Sequence, residues 1–527
     1  MLFRSNKFLL LYNQLLAYIQ LNIYINTDNI FEYKNFKNTI LSLYNDFQIC
    51  ENLFSKSVFT DNLQSLCKKS SLINEHINYI YNLIKKNNKN NFNNNSVIFE
   101  DTYSNIISKL QIYYKNKNYS LAELEKKMLT LEKEEERKAL YIEREKALSN
   151  IAKDISYCLI NIKKETLHIS KKQGFETPLD MALNNINFDK KVLNNLIKSI
   201  EKHLTIFHKY LDFKAQYMKN HNGLNYYNIN YPIININLPK FNIDKTESNL
   251  IKIFDNYSES LSHLTYNLFH NHFIDYENRL NKSSISCHVK ILNLKESRII
   301  CHEKNSIKDL FEIGHEIGHA YHGYCIMKTE SAINSEIPLY LSEVNSLFCE
   351  LLIYNDLFHK STKKEKICLL DMFLSYATYA IVEIYSRFLF EHELFHMLET
   401  NKEISSKEIS NLMITTQKQA FKNSINPNFI DKYLWIYKPH FYSVNDCFYN
   451  FPYALGLLYA IKLFEIYKHT NSKQFKLNFD NFLRLSGRND FDHLSKIFNI
   501  NIFDPNCFET AFLKINNLIN ELIILFN

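Results

Sequence analysis

The stretch SIKDLFEIGHEIGHAYHG, residues 306–323, decides how the rest of the chain is read. Ser306, followed three residues later by Asp309, forms a capping box for the free amides of a helix start, and Gly323 is a stop signal. The spacing predicts a helix between them. Inside it stands His315-Glu316-Ile317-Gly318-His319. Residues four apart on a helix lie about 40° apart around the axis and roughly 6 Å along it, so two imidazoles so placed reach one metal ion from the same face. Glu316, displaced by one position, can address a water activated by the metal rather than the metal itself, a division that suits zinc-assisted hydrolysis.

A catalytic zinc takes a third protein ligand and keeps one position open. Glu343 is the candidate, in PLYLSEVNSLFCELL (338–352), which reads as an amphipathic helix after Pro338. Glu330 and Glu336 compete, but they fall in the connecting segment, where a carboxylate is harder to hold. Glu350, two turns beyond Glu343 on the same face, is expected to orient a ligand imidazole rather than bind metal. A second match, His392-Glu393-Leu394-Phe395-His396, has Leu394 and Phe395 in a packing stripe, and its nearest acids, Glu399 and Glu403, lie on the same helix or at its end. The first match is therefore taken as the metal site. His322 reads equally as cleft lining or as structural, and His263, His270 and His272 as surface or core histidines.

Working outward, 527 residues exceed one typical core of about 100–200 residues. Only 7 glycines and 8 prolines punctuate the chain, so long helices joined by Asn, Ser and Lys turns are expected. With 46% hydrophobic and 22% charged residues, the composition is that of a soluble globular protein, not of a disordered tail or a membrane bundle. The net charge of +6 is spread without a basic stripe, which argues against nucleic acid as a partner. Ten scattered cysteines without a C-x-x-C pair read as free thiols in a reducing compartment, hence the cytoplasm. The apolar stretch FLLLYNQLLAYIQLNIYI (8–25) follows Arg4 and Lys7, but Asn13, Gln14, Gln20 and Asn22 interrupt it. An amphipathic first helix is expected there, with no membrane span in the chain. The Asn-rich tract 85–96 reads as a linker, residues 120–164 as a long solvated helix, and SISCHVKIL (284–292) with SRIICH (297–302) as a β-hairpin.

The stretch WIYKPHFYSVNDCFYNFPYALGLLY (435–459) holds the single tryptophan. Phe441, Phe448 and Phe451 read as aromatic core. His440, Tyr442, Tyr449 and Tyr453 carry polar tips, and two readings stay open for them: core, or donors to the oxyanion that forms as a peptide carbonyl becomes tetrahedral.

Together FEIGHEIGHAYHGY, PLYLSEVNSLFCE, IVEIYSRFLFE, KPHFYSVNDCFYNFPYALG, KKQGFETPLDMALNN and HKYLDFKAQ resemble the thimet oligopeptidase and oligoendopeptidase F zinc peptidases, over roughly residues 100–515. The resemblance implies a mainly α-helical, bowl-like body with a deep substrate channel and a small antiparallel hairpin or sheet beside the zinc. It implies one Zn2+ per chain on His315, His319 and Glu343, Glu316 as general base, and contacts to substrate or transition state from His440, Tyr442 and Tyr453. It also implies that the hairpin edge pairs with the substrate backbone. Three departures bear on substrate grip: NKSSIS (281–286) where relatives are Gly-rich, Leu457 where a tyrosine is usual, and Asn228 where an acid is usual.

The expected organisation is an N-terminal helical region of unclear role (1–98), a helical lobe (99–195) and a zinc metallopeptidase domain (196–527). The expected function is a zinc-dependent endopeptidase that hydrolyses internal bonds of short unfolded oligopeptides. It is expected in the cytoplasm as a monomer, without nucleic-acid or membrane partners. A zinc carboxypeptidase or dipeptidase on a similar scaffold, or a non-catalytic peptide-binding relative, are the alternatives.

Overall fold

The computed structural model describes residues 2–526 apart from 58–59, 87–94, 235, 237–238, 284, 401–402 and 445. Among these residues the chain is mainly α-helical, with strands confined to two small sheets. Contacts divide it into two compact units. One comprises Met1–Asn90, Asn237–Ser361 and Tyr459–Ile502, the other Asn91–Ile236, Thr362–Leu458 and Phe503–Asn527. Each unit draws on segments from separate parts of the chain, whereas the stretches 1–98, 99–195 and 196–527 expected from the sequence are consecutive. Polar tracts mark loops, whereas a compact unit is made by segments far apart in the chain. The Asn-rich tract 85–96 lies mostly outside the described residues.

In the first unit, Cys287–Ile291 and Glu296–Ile300 form the expected hairpin, antiparallel with Val289 opposite Arg298, and Ile274–Asp275 adds a parallel strand to the far side of Glu296–Ile300. The helix Ile307–Met327 packs on the two longer strands and along a second helix, Leu339–Lys360. Gly318 sets how close those helices come: a Cβ there would stand 2.6 Å from Ser346 Cα, so the contact is backbone to backbone. Asn345 reinforces it by donating Nδ2 to the Gly318 carbonyl at 2.5 Å. The first helix, Leu2–Ile25, lays Ala17 against Val289 and Ile291, while Leu2 and Leu9 join Phe47, Leu63, Ile80, Met327 and Ile333 in an apolar cluster.

In the second unit the 39-residue helix Glu134–Lys172 supplies Leu148, Ile155, Leu159 and Ile162 to a core shared with Phe390, Leu394, Trp435 and Phe441. The single solvated helix expected from Ser120 onward is thus two helices. Leu121–Thr130 is opened by a Ser120–Glu123 capping box, and the stripe of the second helix is core. Another long rod, Lys363–Thr378, passes through a π-helical turn at Tyr379–Glu383 into Ile384–Glu399. Where no membrane span was expected, two helices are long and apolar enough to cross a bilayer: Leu2–Ile25, with 17% of its apolar stretch buried, and Lys363–Glu399, with 72% buried.

Candidate metal centre

The helix Ile307–Met327 starts where Ser306 Oγ accepts the Lys308 amide at 3.3 Å and Asp309 accepts the Ser306 amide at 3.2 Å. Two turns on, the Nε2 atoms of His315 and His319 stand 3.1 Å apart. Glu343 Oε2, from the neighbouring helix, lies 3.4 Å from His315 Nε2 and 3.9 Å from His319 Nε2. Among the described residues, these three form the one group of His, Cys, Asp or Glu whose ligand atoms all lie within 4.8 Å of one another. Ser346 donates its hydroxyl to Glu343 Oε2 at 3.2 Å and steadies the carboxylate. Glu350 accepts from His315 Nδ1 at 2.6 Å. Burial would lower the pKa of this ring, but that hydrogen bond and the charges of Glu350, Glu343 and Glu316 raise it to about 9. A metal would therefore bind Nε2 in exchange for a proton, while Glu350 keeps Nδ1–H oriented. Burial, with His315 beside it, holds His319 down to about 3, so that ring is neutral. Burial pushes the Glu316 carboxyl up, against the pull of His315, to about 7.

The competing groups have other work. Glu330 pairs with Arg484 at 2.8 Å, and buried His322 shares a hydrogen bond of 2.7 Å with Ser486. His263 lies at the surface, 3.6 Å from Glu259. His392 and His396 of the second match sit on an exposed face.

His440, Tyr442 and Tyr453 belong to the second unit. The His440 ring stacks on Tyr449 at 5.2 Å, and Tyr449 meets Tyr453 edge-on at 6.4 Å. His440 Nδ1 is buried without a hydrogen-bond partner among the described residues, and burial together with Arg387 and Lys438 holds its pKa down to about 4, so the ring is neutral. Tyr442 is different. It is 4% exposed, its ring stacks on Tyr103 at 3.5 Å, and its hydroxyl donates to the Trp435 carbonyl at 2.8 Å, so its proton already has a use.

A buried strut fixes this loop. Lys163 Nζ lies 2.5 Å from Glu391 Oε1, and Glu391 Oε2 accepts the Phe448 amide at 2.9 Å. Phe448 has φ +56, a region costly for a bulky side chain, so the strut holds a strained residue immediately before Tyr449. Asn450 Oδ1 accepts from Arg387 at 3.2 Å. Reading the sequence missed Ser346, Lys163, Glu391 and Asn450; of these, only Ser346, three residues after Glu343 on one helix, was signalled locally. Of the departures from the resemblance, Leu457 is core, and Asn228 is buried, accepting from Arg137 at 2.9 Å and donating to Glu134 at 3.1 Å.

Two histidines one turn apart, a glutamate from an adjoining helix and a carboxylate beside the first histidine form a group that could hold a metal ion, in the H-E-x-x-H pattern on a helical scaffold. The chain belongs to Peptidase family M3, whose family model matches residues 127–512. It is 22% identical over 360 residues to the oligoendopeptidase F homolog of Borreliella burgdorferi, covering 67% of this chain and 59% of the relative. It is 23% identical over 387 residues to the chromosomal oligoendopeptidase F of Lactococcus lactis subsp. cremoris, covering 73% and 62%. The chain thus spans about three fifths of the length of these curated relatives. A solved structure of PZ peptidase A with an inhibitor has the same fold, with a TM-score of 0.78 at 16% identity over 95% of this chain and 89% of that one.

Proposed function

We propose that the protein is a zinc-dependent endopeptidase that cuts internal bonds of short unfolded oligopeptides in the cytoplasm. One observation carries the reading. Ligands about 2.0–2.2 Å from a tetrahedral zinc stand about 3.3–3.6 Å from one another. The three ligand atoms here are separated by 3.1, 3.4 and 3.9 Å, distances that bracket that range, so side-chain shifts of a few tenths of an ångström would bring all three onto one ion. His315 and His319 would hold it through Nε2 and Glu343 through Oε2. When bound, zinc supplies a Lewis acid for the scissile carbonyl.

The chain's own residues do the rest. Glu350 and Ser346 keep two of the ligands oriented. The Glu316 carboxylate takes a proton from the attacking water and passes it to the leaving amine nitrogen. His440 and Tyr453 donate to the carbonyl oxygen as it gains charge. Tyr442, whose hydroxyl serves the Trp435 carbonyl, holds the aromatic core instead. The outer strand Cys287–Ile291 offers its edge to the peptide backbone.

The test is mass spectrometry of products from a mixed peptide library, for the parent and for Glu316→Gln, with zinc measured in both. Internal cuts by the parent, and a variant that keeps zinc but loses about 100-fold or more of turnover, are expected. First products that are single terminal residues or dipeptides, or a variant that cleaves at the parent rate, would overturn the reading.

A further inference from the structure

The second H-E-x-x-H match takes no part in this chemistry, yet it is not packed away. Leu394 and Phe395 of the match are buried, while His392 and His396 stand one turn apart on the exposed face of Ile384–Glu399. Both imidazoles line a single cleft of about 480 Å³ within the second unit. The helix Lys190–Tyr217 lines the same cleft with Glu201 as well as Lys190 and Lys198, and Glu399, one turn past His396, lines it with its carboxylate 3.9 Å from Lys171. The spacing is that of His315 and His319, so the two rings can address one ion from one side.

The surrounding contacts suit ligation. His392 Nδ1 lies 3.3 Å from Glu393 Oε1, and a proton held there leaves Nε2 with its lone pair. Glu201 Oε1 accepts from Tyr385 at 2.7 Å, which anchors that carboxylate while Oε2 remains as a further acceptor. Among the described residues no third His, Cys, Asp or Glu completes a three-ligand group with these rings, as Glu343 does at the first match. The chemistry is therefore that of a two-imidazole site, selective for borderline ions over oxygen-seeking Mg2+ and Ca2+.

We propose that His392 and His396 form a second metal site at the mouth of this cleft, a weaker, open-sided position for Zn2+, Ni2+ or Cu2+. It is independent of the three-ligand centre and does not rest on the proposed peptidase reaction. At low free metal the chain carries one ion; with excess Zn2+ it carries two, the second displaced by millimolar imidazole.

Equilibrium dialysis of the full chain against Zn2+ and Ni2+, read by elemental analysis, tests this. Wild type is expected to take up one more ion than the double variant His392→Ala/His396→Ala, whose exposed substitutions leave folding and peptide turnover unchanged. A His315→Ala/His319→Ala variant is expected to lose the tight ion and keep the weak one, so failure of either site shows separately. Equal stoichiometry in wild type and the His392→Ala/His396→Ala variant would overturn the proposal, as would a second ion that this variant retains.

Discussion

Replacing Gly318 by alanine tests the link between helix packing and the metal centre. The new Cβ would stand 2.6 Å from Ser346 Cα, where ordinary contact begins at 3.4 Å. Ser346 Cα is backbone within a helix and cannot rotate aside, so the two helices must part by up to the shortfall between those distances, 0.8 Å. Glu343 sits less than one turn before Ser346 on the helix that would move, and both histidines stay on the other. Metal–ligand bonds tolerate about 0.2 Å of error, so the displacement is several times what the centre can absorb. The expected outcome is a stability loss of about 1–3 kcal/mol in the metal-free chain. Zinc affinity should fall at least about tenfold, roughly 1.4 kcal/mol. Urea unfolding gives the first quantity, and competition against a chelator the second. Gly487→Ala is the control: its Cβ would crowd the carbonyl oxygens of Asn334 and Glu336, contacts that involve none of the three ligands. That variant should lose stability and keep its zinc affinity. The reasoning is refuted if Gly318→Ala binds zinc like the parent, or if the control loses affinity to the same degree.

The two tyrosines should separate. Tyr453→Phe is expected to lower kcat by about 10- to 1000-fold, whereas Tyr442→Phe should cost about 1 kcal/mol of stability with kcat unchanged; a kcat loss confined to Tyr442→Phe would reverse the assignment. Glu391→Gln leaves fully buried Lys163 without its anion, and a loss of about 3–5 kcal/mol is expected in chemical denaturation. An unchanged midpoint would show that the strut is idle. The third case is Glu383. Burial alone would raise its carboxyl, but Lys438, Arg387 and the Tyr226 hydroxyl hold it at about 2, against an ordinary 4.5. The unfolded chain therefore binds the proton first, and stability present above about pH 4.5 is lost as pH falls toward 2, by roughly 3 kcal/mol. Denaturation midpoints between pH 3 and pH 7 should fall more steeply in the parent than in Glu383→Gln, and parallel curves would contradict the linkage.

What could be read from the sequence follows the range of the interaction behind each feature. The Ser306 cap, the two imidazoles and the placing of Glu343 and Glu350 two turns apart depend on helical spacing, which is local. The hairpin 287–300 was legible from its β-branched residues. The smaller one, Ile112–Tyr114 with Lys117–Tyr119, was not: its turn places Lys115 and Asn116 at φ +47 and +62 without the glycine that usually marks such a turn. The burial of Tyr442 was not legible, because it is set by Tyr103, distant in sequence, and by a carbonyl that nothing in the pattern distinguishes. The same holds for Lys163 and Glu391, each unremarkable in its own helix. The chain's first 95 residues matched no familiar motif, yet Leu2, Leu9 and Ala17 pack on the strands and loops around the H-E-x-x-H helix, a relation fixed by surface shape.

The π-helical turn at Tyr379–Glu383 has a consequence for the whole rod that contains it. Each α-helical residue advances the azimuth by about 100°, so a single surplus residue in the ladder rephases everything downstream. Upstream, Leu370 and Leu374 are inward; downstream, Phe390 and Leu394 are inward, with Glu391 aimed at Lys163. Excising any one residue from the turn would restore a regular spiral and swing that second set roughly a quarter-turn out of phase. The loss of one codon there would therefore do more harm than most substitutions at the same positions, because it would misalign the nine buried side chains of Ile384–Glu399 at once.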